Sequence, residues 1–272
     1  MHARLFIGLI LVCSLFMPIL SCTTVPITGR SQLSLVSDDA LLDASRQQYS
    51  EFMGSQKIIT TGSQSSTVEK VGRRIAAAAD RYLRDNGRSG EADAFEWEFN
   101  LVANDEINAW AMPGGKVAVY SGILPVTRDE TGLAVVMGHE IAHVVAKHGS
   151  ERMSQQLIAQ MGGQALSAVL ASSPEATQSL WMRVYGAGAT LGVMLPYSRL
   201  QESESDRLGM IFMAMAGYDP RAAVDLWQSM AELKGGRGAP EILSTHPTDQ
   251  TRIRDIREFM PTALQYYEGG RR

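Results

Sequence analysis

The chain has 272 residues, 45% of them hydrophobic and 20% charged, with a formal net charge of -4 and a pI near 5.8. That length leaves roughly 250 residues after a leader, enough for one domain with a sizeable core. The acidic balance and the lack of a basic stripe exclude nucleic acid as a partner class. The 2 cysteines, Cys13 and Cys22, exclude a disulfide framework if a leader removes the first.

Residues 1–21 read as an export signal. Arg4 supplies a basic start, and the apolar run over 5–20 is too short and wrongly flanked to span a membrane. It ends Ile19-Leu20-Ser21-Cys22, which resembles a bacterial lipoprotein processing site, where the Cys becomes the new N-terminus and carries lipid. A plain signal peptide or an uncleaved anchor is the other reading. Thr23 follows where an Asp tends to retain lipoproteins in the inner membrane, so the expected address is the periplasmic face of a bacterial outer membrane, reached through a lipid at Cys22. Residues 22–36 then form a polar tether, and 37–272 one domain.

Ser37-Asp38-Asp39 offers an N-cap and an acidic first turn for a helix reaching about residue 52. A Ser/Thr/Gly-rich loop over 60–66 precedes a second helix over about 67–84, where Val68, Val71, Ile75, Ala78 and Ala79 recur at helical spacing. Residues 95–102 alternate apolar with polar and predict a strand. The stretch 107–120 predicts two short strands joined through Pro113-Gly114-Gly115. This is a structural hairpin or, in a functional reading, a strand edge beside the next helix. In that reading Gly114, Gly115, Val117 and Val119 hold a substrate peptide by strand addition.

That next helix carries His139-Glu140-Ile141-Ala142-His143, an H-E-x-x-H pattern in a chain with only 5 histidines. Helical residues four apart lie about 40° apart around the axis, so His139 and His143 can grip one cation. Glu140, about 100° from His139, can activate a water there without being a ligand. The surrounding residues, Leu133 to Met137 and Val144 to Ala146, are apolar and predict burial. The pattern reads as a zinc peptidase site.

A catalytic zinc needs a third protein ligand. His148, nine residues after His139, falls on roughly the opposite face of a continued helix and is expected as a C-terminal residue favoured by the dipole. Residues 150–173 and 178–195, rich in Ala, Met, Leu and Gly, predict a helical core or lid, and Arg183 disfavours a membrane span. Beyond them Glu202 and Asp206, four apart, share a helical face. Glu202 can bind the metal while Asp206 orients a His ligand through its other ring nitrogen. Glu204 lies about 160° from Asp206 and cannot share that face.

His139-Glu140-x-x-His143 with Glu202-x-x-x-Asp206 resembles the gluzincin peptidases, more narrowly the HtpX and CAAX-prenyl-protease type 1 family. Asn108-Ala109-Trp110-Ala111-Met112-Pro113-Gly114-Gly115 and Ser244-Thr245-His246-Pro247 with Arg252-Ile253 match that family's other segments. The resemblance spans Thr28 to Ile253 and is closest to the LoiP-type periplasmic lipoprotein branch. It implies an α+β fold: a mostly helical zincin-like metallopeptidase domain with a small β-sheet beside the active-site helix. It implies one Zn2+ on His139, His143 and Glu202, with Glu140 as general base. It places His246 near the metal, either steadying the oxyanion or filling the open coordination position; a structural His-Pro turn is the bland reading. Arg252 pairs with a carboxylate or caps a helix.

The expected function is a zinc endopeptidase that hydrolyses unfolded or misassembled envelope proteins, with a polypeptide substrate, an outer-membrane lipid contact and envelope assembly proteins as partners. The rival is a non-proteolytic chaperone or assembly factor whose metal is structural.

Overall fold

A computed structural model describes residues 22–26, 28–155, 198–233, 240–246 and 250–269. The described residues begin with β1 (Cys22–Thr24) and β2 (Ser31–Leu33), an antiparallel pair. This segment is not the free tether expected from its polarity. Val25 enters the main core, and Gln32, Ser34 and Val36 are buried. The Gln32 amide donates to the Ala146 carbonyl at 2.8 Å, which ties the hairpin to the end of the motif helix. Polar residues with buried partners look identical, in sequence, to polar residues in water.

Helix α1 (Asp38–Ser55) starts where Ser37 accepts a hydrogen bond from the Ala40 amide. After the short β3 (Ile58–Ile59), α2 spans Ser63–Asp85, four residues earlier than its apolar repeat predicts. Its first turn is Ser63-Gln64-Ser65-Ser66, polar on all sides, so periodicity is silent there; Gly62, at φ 100°, makes the turn into it. The strands β4 (Glu98–Val102), β5 (Ala109–Met112) and β6 (Lys116–Tyr120) follow. The sheet order is β3-β4-β6-β5, with β4 parallel to β6 and the other pairs antiparallel.

The pleat sends alternate side chains to two cores. Leu101, Val117 and Val119 face α2 and the motif helix, whereas Val102, Trp110, Met112, Ala118 and Tyr120 meet Tyr49 and Phe52 of α1. Turn glycines Gly114 and Gly115 both have positive φ, which lets β5 fold back on β6.

Helix α3 (Glu130–Val145) carries the motif. Asp129 caps it by accepting from the Thr131 and Gly132 amides, and every residue from 132 to 145 is buried. Helix α4 (Arg199–Met215) begins with a capping box, Ser198 and Gln201 bonding reciprocally. The two helices pack with almost nothing between their backbones: a Cβ on Gly138 would lie 3.0 Å from the Gly209 carbonyl oxygen, and one on Gly209 2.9 Å from the Gly138 carbonyl carbon. This close approach sets His139 and His143 against Glu202 and Asp206. Helices α5 (Ala222–Leu233) and α6 (Gln250–Gly269) close the far side. The result is a mostly helical α+β fold with a small sheet beside the motif helix. No helix among the described residues is long and apolar enough to cross a membrane. The predicted helices over 150–173 and 178–195 lie outside the described residues except for 150–155, which are helical.

Candidate metal centre

Two helices and one turn supply four buried donors. His139 and His143 come from α3, Glu202 from the first turn of α4, and His246 from the end of the turn Ile242–Thr245. That turn is anchored by the Ile242 amide donating to the Ile107 carbonyl, just before β5. His139 Nε2 lies 3.0 Å from His143 Nε2 and 3.2 Å from His246 Nδ1. Glu202 Oε1 lies 3.3 Å from His143 Nε2 and 2.9 Å from His246 Nδ1.

Tetrahedral zinc, with bonds of about 2.0–2.2 Å, sets its donors about 3.3–3.6 Å apart. The observed separations, 2.9 to 3.3 Å, are close to that spacing, and imidazole with carboxylate is a zinc donor set. A second observation agrees. Glu140 Oε1 is buried with no hydrogen-bond partner among the described residues, 3.5 Å from His246 Nε2. A carboxylate oxygen left bare in the interior is costly, unless its partner is a reacting group that arrives with the substrate. Burial pushes the Glu140 carboxyl up from its usual range, which improves it as a proton acceptor near neutrality.

Asp206 Oδ1 lies 2.9 Å from His139 Nδ1, the contact that an orienting role would need. Arg252, left undecided by sequence, bridges the acids Glu202 and Asp206 behind the donor cluster. Its Nε and Nη2 donate to Asp206 at 2.8 Å, its Nη1 sits 2.8 Å from Glu202 Oε2, and its plane lies 3.6 Å over the Trp227 ring. Burial alone would raise both carboxyls. Arg252 with His139 brings Asp206 below its usual value, and His246 with Arg252 and His139 brings Glu202 well below. Burial likewise lowers His143 far below its ordinary value, whereas for His139 it is outweighed by Glu202 and Asp206, and that ring stands at about 9.

His148 departs from expectation. Helix α3 stops at Val145, and Lys147 adopts φ 55°, so the chain turns back rather than continuing the helix. His148 is therefore fully buried behind His143, Nδ1 to Nδ1 at 3.0 Å. Sequence reasoning also passed over its partner Glu204 and over Arg30. A lone positive-φ lysine leaves no pattern to read. The substrate-edge residues are divided as well. Val117 and Val119 lie in β6, which is paired on both sides, so β6 offers no edge. The outer strands of this sheet are β3 and β5, and it is β5 that packs on α3. Gly114 does border a cavity of about 140 Å³ that His143 lines, together with Leu41, Leu42, Phe95, Ala111 and Pro113. Gly115 lies at the turn, where a Cβ would strike Trp97.

An H-E-x-x-H helix packed directly on a Glu-x-x-x-Asp helix, with a small sheet beside them, defines a zincin-like metallopeptidase domain of the gluzincin kind. The sequence profile described as Peptidase family M48 matches residues 63–260. The chain belongs to peptidase family M48, and the zinc of that family fits this donor set. It is similar to mitochondrial metalloendopeptidase OMA1 of Schizosaccharomyces pombe, 34% identical over 88% of this chain and 66% of that protein. The human protein, metalloendopeptidase OMA1, mitochondrial, is 30% identical over 89% of this chain and 47% of its own length. The beta-barrel assembly-enhancing protease of Escherichia coli is 27% identical over 91% and 50%. The chain thus spans about half to two thirds of the length of these relatives.

The expected address on a bacterial outer membrane is corrected by these relatives, the first two of which are named mitochondrial. An apolar leader of this length is read by more than one targeting machinery, so residues 5–20 do not by themselves name a compartment.

Proposed function

We propose that the chain is a zinc-dependent endopeptidase that cleaves extended segments of unfolded or misassembled proteins. The observation that carries this is Glu140: a buried carboxylate oxygen with no hydrogen-bond partner among the described residues, 3.5 Å from His246 Nε2 and beside the donor set of His139, His143 and Glu202. A purely structural metal site has no use for it. Zinc, when bound there, supplies Lewis-acid polarisation of the scissile carbonyl and lowers the pKa of water towards about 7. Glu140 accepts the proton of the attacking water and delivers it to the leaving amine. The β5 edge pairs with the substrate backbone, and the apolar cavity beside His143 takes one of its side chains. Only extended chain fits an edge strand, hence the preference for unfolded substrates.

The test is cleavage of casein by zinc-loaded protein. Glu140→Gln should abolish cleavage while retaining zinc; equal turnover by that variant would sink the mechanism.

One observation favours the second reading, a non-proteolytic assembly factor. His246 Nδ1 sits among the donors, and four protein donors are what closed, structural zinc sites have. We read His246 as closing the site at rest and moving aside for substrate. His246→Ala separates the possibilities: faster casein cleavage means a blocking role, slower cleavage an oxyanion role, and no cleavage by any variant the assembly factor. Within the family, the 108–115 and 244–247 segments support the HtpX-type branch. The name of the Escherichia coli relative, a beta-barrel assembly-enhancing protease, supports partners among proteins being assembled. Lipid attachment at Cys22 belongs to the same proposal, and mass spectrometry of the mature N-terminus decides it; an unmodified Cys22 rules it out.

A further inference from the structure

The imidazole of His143 is backed by a chain of buried groups that the peptidase chemistry itself does not use. His148 Nδ1 lies 3.0 Å from His143 Nδ1, and its Nε2 lies 3.1 Å from Glu204 Oε2. Ser205 Oγ sits 3.2 Å from the same Nδ1. Glu204 in turn accepts from Thr28 Oγ1 at 2.7 Å and from Arg30 Nε and Nη2 at 3.0 and 2.9 Å. The other edge of the Arg30 guanidinium grips Glu151, just past His148, through Nη1 at 2.6 Å and Nη2 at 2.8 Å. His148, Glu204 and Glu151 are all buried.

We propose that His148 and Glu204 are positioning residues for the metal ligand His143, and that Arg30 of the N-terminal hairpin locks them in place.

The proton assignments support one direction of flow. With His143 Nε2 facing the donor cluster, its Nδ1 carries hydrogen and donates to His148 Nδ1. His148 then has its own hydrogen on Nε2, aimed at Glu204. Glu204 is held in turn by Thr28 and the Arg30 guanidinium, so the chain ends on a carboxylate paired with a cation. The relay orients His143 as Asp206 orients His139, through one more ring. It also makes residues 28–30 part of the metal site, although they lie more than a hundred residues away in sequence.

The inference rests on His143 being a metal ligand, so the experiment reads metal binding separately from hydrolysis. Zinc affinity is measured by chelator competition on the full chain, with the visible spectrum of the cobalt-substituted protein as a report on ligand geometry. His148→Phe, which keeps the ring and removes the acceptor, should lose about 10–100-fold in zinc affinity and shift the cobalt bands. His148→Asn, whose amide oxygen can accept from His143 Nδ1, should recover most of it. Glu204→Gln and Arg30→Met should show smaller losses in the same direction. Should His148→Phe fail to fold, unchanged affinity and spectrum in folded Glu204→Gln and Arg30→Met overturn the relay. So does wild-type affinity in a folded His148→Phe. A wild-type chain that binds neither metal overturns instead the reading of the site.

Discussion

The two histidines of the motif are held in place by opposite chemistries. On the α6 flank, His139 leans on Asp206, which is clamped by Arg252 over Trp227: a charged arrangement, entirely interior. On the N-terminal flank, His143 leans on a neutral ring, His148, and the charge is set back at Glu204 and Arg30. The α6 flank buries ions next to the metal, so removing one partner strands another. The N-terminal flank keeps its ion pair nearer the surface, with Arg30 one-fifth exposed, where solvent can take over part of a lost partner. Its failures should be milder.

Glu140 belongs to neither flank and sets the scale. Glu140→Gln should lower casein hydrolysis by about 10²–10⁴-fold without changing zinc content, as expected for loss of a general base. A comparable loss of zinc would mean that Glu140 helps to hold the metal, and the contrast between the flanks would then be incomplete.

Arg252→Met probes the charged flank directly. It leaves Asp206 and Glu202 buried together without their shared cation, and the expected cost is about 3–5 kcal/mol of unfolding free energy. Chemical denaturation of Arg252→Met beside Arg30→Met reads the asymmetry. Equal destabilisation would erase the distinction drawn above.

How much of this was legible beforehand follows from the range of each signal. The H-E-x-x-H pattern and the Glu202–Asp206 pair are local, each within one helical turn or so, and periodicity places them on a shared face. Ser37, the turn at Gly114-Gly115 and the apolar stripe of α2 are equally local. His148 was misplaced because its position depends on where α3 ends, and the positive φ at Lys147 has no compositional mark. Val117 and Val119 were misread as an edge because strand order is a global property: β4, which covers the other side of β6, lies beyond β5 in sequence distance. Thr28 and Arg30 looked like tether because nothing in a polar stretch shows which of its residues reach a buried acid such as Glu204.

Gly209→Ala tests what both flanks share. The new Cβ would lie 2.9 Å from backbone atoms of Gly138 and His139, with no flexible side chain to yield. Helices α3 and α4 must separate, at a cost of about 1–3 kcal/mol. Glu202 would then draw away from both histidines, so zinc affinity and thermal stability should fall together. Unchanged zinc affinity in a destabilised Gly209→Ala would show that the donor cluster tolerates a shift of α4 and that the flanks, rather than the helix spacing, define it.

The smallest effect expected is a pH dependence on the N-terminal flank. Glu204 stands at about 2 against an ordinary 4.5, because hydrogen bonds from His148, Arg30 and Thr28 outweigh its burial. A depressed carboxyl contributes stability that is complete above its unfolded value and fades as pH falls towards its folded one. The contribution of Glu204 should therefore be intact above about pH 4.5 and be lost progressively towards pH 2. Asp206, also depressed, titrates in the same direction, so the wild-type curve alone cannot separate the flanks. Glu204→Gln can: its denaturation midpoint should fall less steeply than that of the wild type between pH 4.5 and pH 2, because one of the protons taken up on unfolding is gone. Parallel curves would mean that the acid sensitivity resides wholly on the Arg252 side, and that the N-terminal ion pair is already balanced by solvent.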